Sequence, residues 1–229
     1  MYPVAIDLFA GCGGLTTGLK KSGFKVIAAV EYDEVFAGVY RSNHLSTKLI
    51  VDDIREISSS TLYSGDKQID LIAGCPPCQG FSSLKTKNKD VQVHDERNEL
   101  IWEYVRIIKE LRPKNIMMEN VPGLLKNPIF VRVLNYLEDL GYNLDYKIID
   151  VANFGVPQRR KRLVMMGSLL DLPISVPIQN VELEKHTTVR DCIFNLPIPE
   201  LSEDPIHNVF SKHSDRIKNI IELILKMGE

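Results

Sequence analysis

Asp7-Leu8-Phe9-Ala10-Gly11-Cys12-Gly13-Gly14 is the stretch on which the fold turns. It continues an apolar run, Val4-Ala5-Ile6, that reads as a buried strand, and it leads into residues with helical spacing. A strand that passes through a glycine-rich turn into a helix is the opening unit of a wound α/β sheet, where ligands sit beyond the carboxyl ends of the strands. Glycines let the backbone approach a ligand closely, and the free N–H groups of the helix start favour an anion. The dinucleotide fingerprint would require a third glycine where this chain has Thr16. A nicotinamide cofactor is therefore disfavoured, and a nucleoside carrying a carboxylate instead of a pyrophosphate suits the turn better. A plain tight strand-to-helix turn is the alternative on this stretch alone.

Outward from the turn, short apolar runs alternate with amphipathic stretches as far as residue 168, the pattern of a wound α/β sheet. Strands are expected at Val4–Phe9, Lys25–Glu31, Lys48–Val51, Ile69–Ala73, Asn115–Met118, Asn143–Asp150 and Leu163–Met166. Helices are expected to begin near Gly14, Glu34, Asn98 and Ile129. Residues Gly74 to Arg97 lack periodicity and read as a long loop, a length that usually serves function. Residues 1–168 thus form the expected catalytic domain. Residues 169–229, with Pro173, Pro177, Pro197, Pro199 and Pro205, read as a connector ending in a helix at Asp215–Lys226.

Composition sets outer bounds. With 28 basic and 30 acidic side chains in 229 residues, the chain has no global electrostatic footprint of a nucleic-acid binder, so any such contact must be local. No signal-peptide pattern or bilayer-length apolar run is present, and four cysteines, Cys12, Cys75, Cys78 and Cys192, make no secreted disulfide framework. A reducing, cytoplasmic setting without membrane contact is expected.

The remaining chemistry gathers at strand ends. Glu31 closes the second strand, where an acid holds ribose hydroxyls, and Asp53 follows the third, where it can accept from an adenine amino group. After the fourth strand comes Gly74-Cys75-Pro76-Pro77-Cys78-Gln79-Gly80-Phe81-Ser82, whose prolines fix the backbone as a nucleophile requires. A zinc half-site lacks two further ligands at recognisable spacing, and a redox dithiol should open a helix rather than a loop. Two inert buried thiols stay open as a reading, above all for Cys75. Glu119-Asn120-Val121 ends the fifth strand, with a surface or capping glutamate as the bland alternative. Gln158-Arg159-Arg160-Lys161-Arg162 would by itself be a solvated charge run.

Taken in order, Asp-Leu-Phe-x-Gly-x-Gly-Gly from Asp7, Glu31, Asp53-Ile54, Pro77-Cys78-Gln79, Glu119-Asn120-Val121 and Gln158-x-Arg160-x-Arg162 resemble the motifs of the DNA (cytosine-5)-methyltransferase family. Thr188-Val189-Arg190-Asp191-Cys192-Ile193 matches a further family segment, so the resemblance runs from residue 4 to about 195. It implies a Rossmann-like S-adenosylmethionine-dependent methyltransferase fold, a mixed seven-stranded sheet flanked by helices, and no metal. Cys78 would attack carbon 6 of cytosine, Glu119 would engage N3 and the exocyclic amine, and Arg160 and Arg162 would hold the base and the nucleophile. The implied cofactor contacts are Phe9, Ala10, Gly11, Gly13, Gly14, Leu15, Glu31, Tyr32, Asp53, Ile54, Pro77 and Leu100, with Tyr32 against the adenine. Gln79, Ser82, Asn120, Val121 and Gln158 would meet the substrate. Ser82, Ser83, Lys85, Lys87 and Lys89, in the loop from Gly80 to Arg97, would meet phosphates.

The implied partner is duplex DNA with its target cytosine flipped out of the stack, in a restriction–modification setting. Family members continue into a target-recognition domain and a last conserved segment, both absent here. The chain is thus expected to be a truncated enzyme or the large subunit of a split one, with weak activity alone. Two other readings stand beside this one: an RNA cytosine-5 methyltransferase, and a non-catalytic cofactor-binding subunit. The presence of Cys78, Glu119 and the arginine pair counts against the last.

Overall fold

The computed structural model describes residues 2–77, 99–178, 185–209 and 213–226. Seven strands form one sheet in the order β3-β2-β1-β4-β5-β7-β6, namely β1 Val4–Leu8, β2 Lys25–Glu31, β3 Lys48–Val51, β4 Leu71–Gly74, β5 Asn115–Asn120, β6 Asn143–Asp150 and β7 Lys161–Ser168. All neighbours pair in parallel except β7, which runs antiparallel to both β5 and β6. The sheet is therefore mixed, and the wound α/β expectation holds. Order reverses between β1 and β4, which makes the crevice beyond those two strands the natural ligand site.

Helices cover the two faces. Helices α1 (Gly14–Lys21) and α2 (Glu34–Asn43) pack on the first three strands. Helix α1 starts from Gly13 in the left-handed region, while α2 starts where the Asp33 carboxylate accepts from Val35 N at 2.8 Å and Phe36 N at 3.2 Å. A single turn, α3 (Ser59–Leu62), precedes β4. Helix α4 (Leu100–Leu111) sinks Ile101, Tyr104, Val105, Ile107 and Ile108 into the main core, and stops at Arg112, which is left-handed and precedes Pro113. Helix α5 (Pro128–Asp139), capped by Asn127, adds Phe130, Val133 and Leu137. Full burial of each such apolar side chain is worth about 1.5–3 kcal/mol.

Several boundaries differ from the sequence reading: β1 stops at Leu8, and β4 spans Leu71–Gly74 instead of Ile69–Ala73. Strand β5 runs on through Glu119 and Asn120 because they pair with Val164 and Leu163 of β7. Strand β7 begins at Lys161 and Arg162, opposite Asp150 and Ile149, so half of the expected charge run is strand. Residues 169–178 do not behave as a free connector, since Val176 is buried and its N–H donates to Asp145 Oδ2 of β6 at 2.7 Å. By its internal contacts the chain forms two compact units, Met1–His186 and Thr187–Glu229.

The second unit contains α6 (Val189–Ile193), whose start is a capping box of Thr188 and Asp191, and α7 (Asp215–Lys226). None of its described side chains is buried, and Phe194, Leu201, Ile206 and Val209 are each at least 70% exposed. The described residues of this unit bury no apolar side chain and so provide no core to offset chain entropy.

Candidate active site

The turn after β1 is shaped by three residues with positive φ: Phe9 at 61°, Gly11 at 55° and Gly13 at 89°. For Phe9 this is a strained conformation, which persists only where surroundings impose it. Two backbone bonds lock the turn, Ala10 N to Val30 O and Gly13 N to Ala10 O, both 2.9 Å. Gly13 is obligatory in a second sense, because a Cβ there would lie 2.3 Å from Nε2 of His44. His44 itself is buried, with Nε2 3.0 Å from the Gly13 carbonyl oxygen. Lys20 Nζ lies 3.4 Å from Nδ1, and a lysine can only donate, so Nε2 carries the proton that Gly13 O accepts.

Beside the turn lies a cavity of about 550 Å³, a volume suited to a nucleoside-sized ligand. It is lined by Phe9, Glu31, Tyr32, Asp53, Ile54, Pro77 and Leu100, with Val30, Asp33, Asp52, Arg55 and Cys75 completing the wall. Seven of the residues singled out in the sequence for a cofactor thus share one cavity. Glu31 is fixed by two backbone donors, Gly11 N to Oε2 at 2.7 Å and Asp33 N to Oε1 at 2.8 Å. Each oxygen keeps a lone pair for a ligand hydroxyl. Asp53 is engaged by its own neighbour, since the Arg55 guanidinium donates to both carboxylate oxygens and holds the carboxyl below its usual range. Tyr32 is 73% exposed at the cavity rim. Ala10, Gly14 and Leu15 belong to the turn and to the first residues of α1 rather than to the cavity wall.

One strand further along, β5 carries Glu119. Because β7 is antiparallel, its first residues reach the sheet edge where β4 and β5 end, and Arg162 Nε lies 2.6 Å from Glu119 Oε1. Burial raises the Glu119 carboxyl above the ordinary range, while the Cys75 thiol hydrogen-bonded to it and the charge of Arg160 pull it down. Cys75 is pushed far up, chiefly by burial and then by the Glu119 charge, so it is a neutral donor rather than a thiolate. Asn120 is buried and turned inward; its Nδ2 donates to Pro76 O at 3.0 Å and its Oδ1 accepts from Val121 N at 2.8 Å. It thereby ties the Pro76-Pro77 segment to the end of β5. Gln158 and Arg160 are exposed.

Cys78, Gln79 and Ser82, with the rest of 78–98, lie outside the described residues. Among the described residues no cluster of three or more metal-ligating groups occurs, and no helix is long and apolar enough to cross a membrane. The sequence reading missed Asp7, Thr16, Tyr40 and His44, which support the turn from behind, and the link from Cys75 to Glu119. A carboxylate within the apolar run Val4-Ala5-Ile6-Asp7-Leu8 was the one available signal.

The sequence model of the C-5 cytosine-specific DNA methylases matches residues 4–224. The Type II methyltransferase M.XorII of Xanthomonas oryzae pv. oryzae is 36% identical over 214 residues, which cover 88% of this chain and 49% of M.XorII. Type II methyltransferase M.AquIA of Picosynechococcus sp. is 30% identical over 243 residues, covering 93% of this chain and 97% of its own. A crystal structure of a prophage-encoded DNA modification methyltransferase (E. coli) superposes with a TM-score of 0.73 at 30% identity, covering 85% of this chain and 55% of that one. The chain spans about half the length of the first curated relatives it matches.

Proposed function

This chain belongs to the C-5 cytosine-specific DNA methylase family, and we propose that it forms the cofactor-binding and catalytic part of a DNA (cytosine-5)-methyltransferase. The observation that carries this reading is the position of Cys75, which lines the nucleoside-sized cavity and lies close enough to Glu119 to feel its charge. One residue thus borders both the cofactor pocket and the acid that would meet the base. The relatives' names, Type II methyltransferases, support a restriction–modification role.

S-adenosylmethionine fits the donor set. Glu31 has lone pairs for ribose hydroxyls, Tyr32, Ile54, Pro77 and Leu100 give an adenine apolar walls, and the glycine turn suits a carboxylate. When bound, the cofactor supplies an electrophilic methyl group for carbon 5.

The work of the chain's own residues is to make carbon 5 nucleophilic. Cys78, the residue after cavity-lining Pro77, adds as thiolate to carbon 6 of cytosine, forming a carbon–sulfur bond while electrons move toward N3. Glu119 then donates a proton at N3, a task favoured by the burial that raises its carboxyl. Arg162 holds that carboxyl in place, and Asn120 holds the segment leading to Cys78. Departure of the carbon-5 proton expels the thiolate and restores the ring. A base within a duplex cannot be reached this way, so the target nucleotide must be flipped out.

Site-specific methylation requires a further polypeptide, as a continuation of the chain or as a second subunit. Support comes from the second unit, whose apolar residues have no core among the described residues, and from the first relatives, of which the chain covers about half. The test is transfer of a tritiated methyl group to duplex DNA or to transfer RNA by the chain together with that completing part. Label at carbon 5 of cytosine in DNA is expected, lost in Cys78→Ser with cofactor binding retained. Turnover by Cys78→Ser, or label confined to RNA, overturns the reading.

A further inference from the structure

Behind the glycine turn sits a carboxylate that the proposed reaction does not use. Asp7, on β1, is fully buried. Its Oδ2 accepts from the Thr16 hydroxyl of α1 at 2.7 Å, and Thr16 Oγ1 is 2.8 Å from the Tyr40 hydroxyl of α2. Its Oδ1 has no hydrogen-bond partner among the described residues. The ionisable groups that face it from the packed elements are Tyr40 from α2, Glu31 from the end of β2 and Cys75 from the end of β4. Each is an acid, so none of the three can compensate a negative charge on Asp7. Burial pushes the carboxyl up to about 7 against the pull of Thr16, and the Glu31 charge adds a smaller push in the same direction.

A half-satisfied buried carboxylate is costly when charged, and a nearby cation removes that cost. On its β1 and β4 side the cofactor cavity is walled by Phe9 and Cys75, each two residues beyond the register pair Asp7 and Ala73, so Asp7 stands directly behind that wall. An occupant with its nucleoside end at Tyr32, Asp53 and Ile54 has its remaining length on that side. We propose that Asp7 is the buried counter-ion of the cofactor's sulfonium end, releasing its proton to solvent when the cationic cofactor binds and retaining more of it when the sulfur is neutral. Binding of S-adenosylmethionine is then coupled to pH, and Asp7 discriminates between the methyl donor and its demethylated product. The inference rests on the S-adenosylmethionine reading above.

The experiment is calorimetric titration of the chain with S-adenosylmethionine and with S-adenosylhomocysteine, in buffers of differing ionisation enthalpy, from pH 5.5 to 7.5. Both ligands carry the same α-amino group, so the difference between them isolates the charge on sulfur. The expected result is greater proton release with S-adenosylmethionine, and an affinity that rises about tenfold more steeply over this range, the effect of a one-unit shift in the buried acid. Asp7→Asn should remove the difference. Equal proton release for both ligands, or a difference that persists in Asp7→Asn, overturns the proposal while leaving the cofactor assignment intact. Absence of binding by the wild-type chain overturns both. Should Asp7→Asn not fold, the wild-type comparison of the two ligands decides alone.

Discussion

Arg162 and Glu119 meet at 2.6 Å across two neighbouring strands that run in opposite directions. The meeting is a product of topology: a parallel β7 would have brought its last residue, not its second, to this edge. Both side chains are under a third exposed, so the pair is screened less than a surface ion pair. Arg162→Ala should therefore cost about 1–2 kcal/mol of stability and, with the completing part present, lower methyl transfer about 100-fold. Cofactor affinity should change little. Chemical denaturation, a transfer assay and a cofactor titration on one preparation separate these effects, and a loss confined to cofactor affinity would refute the role.

Asn120 makes a different kind of connection, from the end of β5 to the Pro76 carbonyl. Asn120→Ala removes a buried hydrogen bond and leaves that carbonyl unsatisfied, at about 1–3 kcal/mol. Asn120→Asp keeps the acceptor for Val121 N but loses the donor, so it should be at least as harmful. Urea midpoints for the two variants test this order, and a neutral outcome for both would mean the Pro76 segment is held by other contacts.

Asp7 predicts a pH dependence of stability whose sign can be worked out. Its carboxyl lies at about 7 in the folded chain against 3.8 for the free group, so the folded state binds the proton more tightly. The associated stability is fully present below about pH 4 and is lost as pH rises toward 7, beyond which it is flat. Asp7→Asn should melt higher than wild type at pH 8 and close to it at pH 4. Thermal melts at the two pH values check this, and a variant less stable at pH 8 contradicts it.

Gly13 and His44 form a tight steric pair. Gly13→Ala places a methyl group against the imidazole and forces an unfavourable backbone angle, together worth about 1–3 kcal/mol. His44→Ala in the same chain should relieve only the steric part. A double-mutant cycle on cofactor affinity and on stability measures the coupling; strict additivity would show that the two residues act independently.

Much of the sheet was legible because each buried parallel strand is a short apolar run between turn residues, as with Lys25–Glu31 and Lys48–Val51, whose ends coincide with the observed ones. The start of β7 was not, since Lys161 and Arg162 become strand only through partners on β6 that lie ten residues or more away in sequence. The cavity beside the glycine turn lies at strand ends, because a wound sheet brings the carboxyl ends of β1, β2, β3 and β4 to one edge. The polar support behind it was not legible. Whether Asp7 in an apolar strand meets a hydroxyl, a cation or nothing depends on how α1 and α2 fold back, and neither spacing nor composition encodes the bond from Thr16 or the ring of His44 against Gly13. Asn120 illustrates the same limit: an amide at a strand end beside the site is as fit to hold a loop as to touch a base.

The segment that docks on β6 has a practical consequence. Strand β6 is the outermost strand on its side of the sheet, and Val176, bonded to Asp145, lies along it with Lys147 reaching Ser175. A shortened version cut at residue 168 would lose these tethers to the Asp145 and Lys147 side chains and bare the flank of the outermost strand. Such a margin recruits strands from other molecules, so a version ending there should precipitate or form fibrils, whereas one ending after residue 178 should stay dispersed.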